Sequence, residues 1–273
     1  MTAEEYIRVG DLGAAMGALR EAIKKDPADS KLRIFLFQLL SVNGDWEKAL
    51  TQLNLIADIS PDSMLLAQIF RPVVQCEALR AAVFAGKRSP LIFGEPQEWI
   101  GLLVHANSLA AIGKLREARE PLEQALEAAP AISGSINQHD FKWIADADSR
   151  LGPVLEAVID GKYYWIPFNR IARIDISRPS DLRDLVWISA TFTWANGGES
   201  PGLIPVRYAG SEASPDSGIR LSRKTDWEDA GEGFFFGKGQ RLFATDAGEY
   251  PLLETLVIKL NHPKAEPVAE TSA

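Results

Sequence analysis

Residues 44–61 read GDWEKALTQLNLIADISP, and the spacing of four residues in this stretch returns twice elsewhere in the chain. Counted from the glycine, alanine stands at position +5, leucine at +9 and proline at +17. The three sets are Gly10, Ala15, Leu19 and Pro27; Gly44, Ala49, Leu53 and Pro61; and Gly113, Ala118, Leu122 and Pro130. Three copies that match at four positions, two of them 34 residues apart, indicate an internal repeat.

Each repeated position has a physical role in a pair of antiparallel helices. Glycine allows the positive φ of the tight turn between the helices, and proline opens the next unit. Alanine lets the helices approach closely, and leucine fills the seam between them. The period of 34 residues resembles that of the tetratricopeptide repeat. No such set begins between Gly44 and Gly113, where residues 63–86 predict one longer helix, kinked at Pro72. We therefore predict degenerate, TPR-like helical repeats over residues 1–150.

The composition changes near residue 150, which predicts an α+β chain. Residues 151–273 hold nine of the 16 prolines and four of the seven tryptophans, and their apolar residues tend to alternate. We predict a small antiparallel β-rich domain over residues 151–260 and a disordered tail over residues 261–273. Within this half we expect a short helix at Gly152–Asp160, and an edge strand that contains Pro205.

Charge and cysteine content limit the partners and the compartment. The 29 basic and 37 acidic residues give a net charge of −8, which argues against nucleic-acid and anionic-membrane binding. Cys76 is the only cysteine, the N-terminus is acidic, and no apolar run is long enough to cross a membrane. These features predict a cytoplasmic protein.

The run of residues 139–150, HDFKWIADADSR, is the strongest candidate for chemistry. Its side chains Asp140, Asp146 and Asp148 could hold a divalent cation through oxygen ligands. Alternatively, Asp146 or Asp148 caps a helix or pairs with Arg150, and so braces the two halves of the chain. No metal-binding histidine pair, phosphate-binding loop or nucleophile motif is present, so we expect no metal and no cofactor.

Gln240 and Arg241 follow the glycine-rich residues 237–239 and are a second candidate. Either they reach a ligand, or they form an exposed polar pair on a turn.

Several runs in the chain resemble the ImpE/SciE/TagJ family of accessory proteins, which are encoded with bacterial type VI secretion systems. Together with the degenerate repeats, these runs span residues 1 to about 260. The runs are WIADADSRLGP (143–153), WIPF (165–168), DLVW (184–187), IPVRY (204–208) and GKGQR (237–241).

The resemblance implies a non-enzymatic adaptor. Members of the family bind an N-terminal helix of the small contractile-sheath subunit, of TssB type, and thereby modulate recycling of the sheath by the ClpV ATPase. The family supplies no catalytic residue to transfer. The runs that carry the resemblance also contain five polar residues for which the family implies no role. They are Asp146, Asp148, Arg150, Gln240 and Arg241.

The repeats favour a similar function independently of the resemblance. The first helices of stacked units line a groove that can hold an amphipathic helix of a partner. The predicted groove residues are Ile34, Gln38, Ser41, Ile100, Leu103 and Asn107. We expect Leu103→Asp to weaken partner binding while the fold survives. Two alternatives remain: a chaperone for secreted effectors that uses the same groove, and a metal-dependent enzyme that uses Asp140, Asp146 and Asp148.

Overall fold

A computed structural model describes residues 1–59 and 61–262 of the chain. The first half is helical, and a short turn joins the two helices of each repeat unit. The helices there are α1 (Ala3–Val9), α2 (Leu12–Lys25), α3 (Ser30–Val42), α4 (Trp46–Ala57), α5 (Pro61–Phe84), α6 (Glu98–Ala111) and α7 (Leu115–Ala128). A further short helix, α8 (Ser217–Arg220), lies in the second half. No helix in the described ranges has the length and apolar character needed to cross a bilayer.

The repeated residues occupy the positions that the sequence predicts for helical hairpins. Gly10, Gly44 and Gly113 lie in the turns α1–α2, α3–α4 and α6–α7 and have φ of 86°, 73° and 77°. The repeated alanines and leucines of α2, α4 and α7 are buried. Between the second and third hairpins stands the single long helix α5, with Pro72 inside it. The predicted degenerate helical array is therefore confirmed.

The strands form a large sheet and two smaller ones, and all but β1 lie beyond the helical array. The strands are β1 (Leu91–Ile92), β2 (Gly134–Ile136), β3 (His139–Phe141), β4 (Ile144–Asp146), β5 (Val154–Ile159), β6 (Lys162–Pro167), β7 (Ile171–Ile176), β8 (Trp187–Trp194), β9 (Glu199–Pro205), β10 (Thr225–Gly231), β11 (Phe234–Gly239), β12 (Leu242–Thr245), β13 (Gly248–Pro251) and β14 (Val257–Leu260).

Strand pairing in this half is mostly antiparallel, as predicted. The large sheet has the order β1-β6-β5-β9-β8-β7-β14-β2-β3, and only β1–β6 is parallel. Strands β13-β12-β4 form a second sheet, and β10-β11 form a hairpin. The chain is thus α+β.

Two local predictions are wrong. Gly152–Asp160 does not form a helix, because its central residues are strand β5, which is buried at all six positions. A run that is covered on both faces lacks the alternation by which strands are recognised. The strand with Pro205 is not at an edge, since β9 lies between β5 and β8. Its pairing with β5 is confined to Gly202 and Leu203 and does not extend to Pro205, so the missing N–H breaks no ladder there.

The helical and sheet regions share a hydrophobic core. One cluster of buried apolar side chains contains residues of α1–α7 together with Val158, Trp165 and Trp187 of the large sheet. Strand β1 reaches that sheet from the connection between α5 and α6, and strands begin again at Gly134. The domain division at residue 150 stays a prediction. Of the predicted tail, residues 263–273 lie outside the described residues, while Asn261 N–H donates to the Ser133 carbonyl at 2.8 Å.

Candidate functional site

Two runs bring their polar residues together where helix α5 meets the sheets. They are residues 143–150, which we call the WIADADSR run, and residues 237–241, the GKGQR run. Strand β4 has the alternation expected of a sheet with one covered face. Asp146 points inwards, and both it and Asp148 are buried, while Ala145 and Ala147 are half-buried on the other side. Arg241, just before β12, is completely buried. The motif therefore places carboxylates and a guanidinium inside the molecule rather than in an open cleft.

Glu156 is the centre of this arrangement and binds two arginines. Arg80 of α5 donates from Nε to Oε1 at 2.7 Å and from Nη2 to Oε2 at 3.0 Å. Arg241 pairs with Oε2 through Nη2 and with Asp146 through Nη1. The hydroxyl of Tyr163 donates to Glu156 Oε1 at 2.5 Å and accepts from Trp165 Nε1 at 2.8 Å. A buried carboxylate on a middle strand is thus satisfied by groups from three elements.

Two further groups extend the cluster towards the helices. Glu77, one turn before Arg80, accepts from Trp187 Nε1 at 2.7 Å. The Arg207 guanidinium donates to the carbonyls of Ser41 at 3.1 Å and Val42 at 2.6 Å, which belong to the last turn of α3. A cation at this position also complements the dipole of the helix.

Asp148 and Arg150 form a second ion pair, in which Asp148 is fully buried and the Arg150 side chain is 12% exposed. Arg150 Nε donates to Asp148 Oδ1 at 2.8 Å, and Nη2 donates to Oδ2 at 2.5 Å. The guanidinium lies 4.8 Å from the ring centre of Phe84 and 4.6 Å from that of Phe236, in cation–π contact with both. Gly237 N–H also donates to Asp148 Oδ2, at 2.8 Å. The pair therefore ties α5 to the β10–β11 hairpin, as the bracing alternative predicts.

These eight residues, which we call the buried charge network, are balanced in charge. The carboxylates are Glu77, Asp146, Asp148 and Glu156, and the guanidinium groups are Arg80, Arg150, Arg207 and Arg241. Buried charges need such partners, because an isolated one costs several kcal/mol.

The pKa shifts in the network reflect competition between burial and pairing. Burial alone would raise the pKa of Glu156, but Arg80 and Arg241 outweigh it and lower that pKa to about 2. For Asp146 burial prevails over the attraction of Arg241 and raises the pKa to about 6. Burial lowers the pKa of Arg207 to about 10. Glu156 therefore stays ionised over the whole neutral range.

The three carboxylates of the proposed cation site do not converge. Asp146 and Asp148 are bound by Arg241 and Arg150, whereas Asp140 is exposed on β3, in the other sheet. Over residues 1–59 and 61–262, no group of three or more His, Cys, Asp or Glu side chains is arranged to hold a metal ion. Asp140, Asp146 and Asp148 therefore do not form the shared cation site that the metal-dependent alternative requires.

Gln240 and Arg241 are neither ligand-facing nor an exposed pair. Gln240 Nε2 donates to the Ser222 carbonyl at 2.8 Å, and its Oε1 accepts from Leu253 N–H at 3.0 Å. Both residues hold neighbouring segments together, so the exposed-turn interpretation is also wrong.

Five of the six predicted groove residues are buried. Gln38, Ser41, Ile100, Leu103 and Asn107 lie inside, because the sheet half and α5 pack where an isolated helical array would be open. Leu103 is 0% exposed, so Leu103→Asp would bury an unpaired charge and is expected to unfold the chain instead of sparing it. Ile34, the sixth, is half-buried.

An open cleft nevertheless remains on the inner side of α1 and α3. It has a volume of about 640 Å³ and is closed on one side by residues 179–185 of the sheet half. Leu32, Ile34 and Phe35 of α3 face Leu182 and Leu185 across it, and Gln38 lies at its base. We call this the α1–α3 cleft. The cleft contains part of the predicted groove, on α3. Its other wall is formed by residues 179–185, which are not part of the helical repeats.

The sequence reasoning missed Glu77, Arg80, Glu156 and Arg207. One signal was present, since Glu156 interrupts the apolar run VLEAVI of residues 154–159. A carboxylate in a fully buried strand needs a cationic partner. Nothing in the sequence identifies Arg80, 76 positions away, as that partner.

Comparisons with known proteins match both halves. The ImpE protein family matches residues 138–259, which include Asp146, Glu156 and Arg241, and a tetratricopeptide repeat family matches residues 6–69. A crystal structure of protein VPA1032 from Vibrio parahaemolyticus has a TM-score of 0.87 at 25% identity, covering 96% of this chain and 98% of that one.

A curated relative extends the likeness over nearly the whole chain. The type VI secretion system accessory component TagJ of Pseudomonas aeruginosa is 46% identical over 254 residues, which cover 93% of this chain and 89% of that protein. Identity at this level over both halves is decisive for the family. The chain therefore belongs to the ImpE/SciE/TagJ family.

Proposed function

We propose that this chain is an accessory protein of a bacterial type VI secretion system. It acts in the cytoplasm as an adaptor without catalysis of its own. It binds an N-terminal helix of the small contractile-sheath subunit, of TssB type, and thereby modulates sheath recycling by ClpV. Support comes from the Pseudomonas aeruginosa relative and from the family resemblance, since TagJ is an accessory component of such a system.

The observation that carries the proposal is the α1–α3 cleft. A helix-in-groove complex needs an elongated apolar trough that receives side chains at i, i+3, i+4 and i+7. Leu32 and Phe35 stand on one side of the cleft and Leu182 and Leu185 on the other. Ile34 adds a half-buried apolar side chain from α3. These residues are offered as the contact surface for the apolar face of the sheath-subunit helix.

The walls of the cleft are held in place before a partner arrives. Arg207 fixes the end of α3 through the Ser41 and Val42 carbonyls. In the opposite wall, the Asp184 carboxylate accepts from the N–H groups of Ser180 and Asp181, both at 2.8 Å. A preformed groove loses less conformational entropy on binding than a mobile one. The buried charge network thus supports the site although it does not line it.

The test is a calorimetric titration of the full chain with a synthetic peptide of the TssB N-terminal helix. Ile34→Glu places a charge in the cleft and should weaken binding by about tenfold or more. The matched control is Ile112→Glu, at the end of α6, where the side chain is 64% exposed and outside the cleft. We expect the control to bind like the wild type. Equal affinity of the Ile34→Glu and wild-type proteins would contradict this site, and no binding by the wild type would contradict the proposed partner.

A further inference from the structure

A second cleft lies on the other side of the WIADADSR run, away from the α1–α3 cleft. It has a volume of about 460 Å³ and runs between helix α7 and residues 143–149. Its floor is made of small side chains: Ala145 of β4, Ala147 just after that strand, and Ala244 of β12, which pairs with Ala145. Side chains therefore alternate along this run. Asp146 and Asp148 belong to the buried charge network, and Ala145 and Ala147 line the cleft.

Large apolar side chains stand exposed around this floor. Leu126 of α7 is 47% exposed and Trp143 is 41% exposed, and both line the cleft. Phe235 of the hairpin is 46% exposed, and its N–H donates to the hydroxyl of Ser149, a lining residue, at 3.0 Å. Exposed aromatic and leucine side chains around a shallow apolar floor are typical of protein-binding sites.

The elements that flank the cleft are acidic. Helix α7 and the β10–β11 hairpin together carry eight carboxylates and three cationic side chains, a net charge of −5. Glu123 and Glu127 follow the lining residues Leu122 and Leu126 in sequence, and Glu232 precedes the lining residue Gly233.

The cations next to the cleft are already paired. Arg116 binds Glu232 at 3.0 Å, and Lys142 lies 3.7 Å from Asp246. Arg150, behind the floor, is held by Asp148. Glu127, by contrast, has no ion pair among the described residues. The cleft therefore has an apolar lining and lies between two elements, α7 and the β10–β11 hairpin, that carry an excess of negative charge.

We propose that this cleft, which we call the Trp143 cleft, binds a basic amphipathic segment of a partner protein. Apolar side chains of the segment contact Leu126, Trp143 and the alanine floor, and its lysines or arginines pair with Glu127, since Arg119 already binds Glu123 at 2.7 Å. The negative rim favours a cationic segment over an acidic one and accelerates its association. This site goes beyond the proposed sheath-subunit site, since it shares no residue with the α1–α3 cleft.

The probe is a synthetic amphipathic helix of leucine and lysine, labelled for fluorescence anisotropy and titrated with the full chain. The comparison peptide has glutamate in place of lysine. Trp143→Ser and Glu127→Lys should each raise the dissociation constant of the leucine–lysine helix by about tenfold. The matched controls Ile112→Ser and Glu47→Lys change an exposed apolar and an exposed acidic residue elsewhere, and should leave it unchanged. Hydrogen exchange should show protection of residues 122–131 and 143–153 on binding.

Three outcomes would overturn the proposal. One is equal weakening by the cleft variants and their controls, which would indicate attraction by net charge alone. Another is equal binding of the leucine–glutamate helix. The third is self-association of the wild type that Trp143→Ser abolishes, because the occupant would then be a second copy of the chain. The TssB peptide should bind the Trp143→Ser variant normally, so this result and that of the Ile34→Glu test are separable.

Discussion

Arg80 on helix α5 and Glu156 on strand β5 form a two-pronged ion pair, with Nε–Oε1 at 2.7 Å and Nη2–Oε2 at 3.0 Å. Both side chains are buried, so neither charge has water as an alternative partner. The pair lies where the helical and sheet regions share one core, and it fixes their relative placement.

Removal of the arginine should destabilise the fold strongly. Arg80→Leu leaves Glu156 with only one of its two cationic partners and leaves Glu77 without its arginine. We expect the free energy of unfolding to fall by about 3–5 kcal/mol in urea denaturation. The matched control is Arg88→Leu, an exposed arginine just beyond the same helix, which should change it by less than about 0.5 kcal/mol. Similar stabilities of the two variants would show that the pair does not hold the halves together.

The acid branch of the stability profile should depend on Glu156. Its pKa is about 2 in the folded chain and near the ordinary 4.5 when unfolded. The unfolded state therefore binds the proton more readily, and this contribution to stability is lost as pH falls from about 4.5 to 2. Urea denaturation at several pH values should show this loss in the wild type. In Glu156→Gln the slope over this window should be smaller, and an unchanged slope would refute the assignment.

Asp146 should act in the opposite direction in an adjoining window. Its pKa is raised from 3.8 to about 6, so the folded state binds the proton more readily. Stability due to this group is present below pH 3.8 and is lost as pH rises to about 6. The Asp146→Asn variant should lose this descent between pH 4 and 6 in the same denaturation series. A descent that persists in the variant would mean that another group causes it.

The same glycine-to-alanine change should have opposite effects at two positions. A Cβ at Gly237 would lie 2.2 Å from Cδ2 of the buried Tyr208 ring, whereas one at Gly17, on the exposed face of α2, would meet nothing within 4 Å. Gly237→Ala should therefore lower the unfolding free energy by about 1–3 kcal/mol. Gly17→Ala should raise it by about 0.5–1 kcal/mol, since alanine favours the helix. Thermal melts of both variants check the signs, and stabilisation by Gly237→Ala would contradict the packing.

Local patterns accounted for the parts of the fold that local forces determine. The helical hairpins followed from glycine, alanine and leucine at fixed spacing, and Asp148–Arg150 could be suggested because the two residues are close in sequence. The sequence predicts a helix where strand β5 lies, because burial on both faces removes the alternating pattern. Strand β9 lies between β5 and β8, an arrangement set by long-range pairing.

The candidate site was predicted less well for a related reason. Repeat geometry identifies the inner faces of α3 and α6, but only tertiary packing decides which of them stays open. Leu103 is covered, whereas Ile34 remains at a cleft. The WIADADSR run was recognised as unusual, yet its partners Arg80, Glu156 and Arg241 come from distant segments. Residue types alone do not specify such partnerships.

The balance of the buried charge network limits how this protein can be recombined or can evolve. Four carboxylates and four guanidinium groups are divided between α5 and the strand-rich half, and although each part is neutral in sum, Arg80 of α5 is a direct partner of Glu156 in the strand-rich half. A chimaera that took its helices from a homologue without arginine at position 80 would leave the buried Glu156 with Arg241 as its one cationic partner. The two halves are therefore expected to be inherited together, and substitutions within the network to occur as compensated pairs.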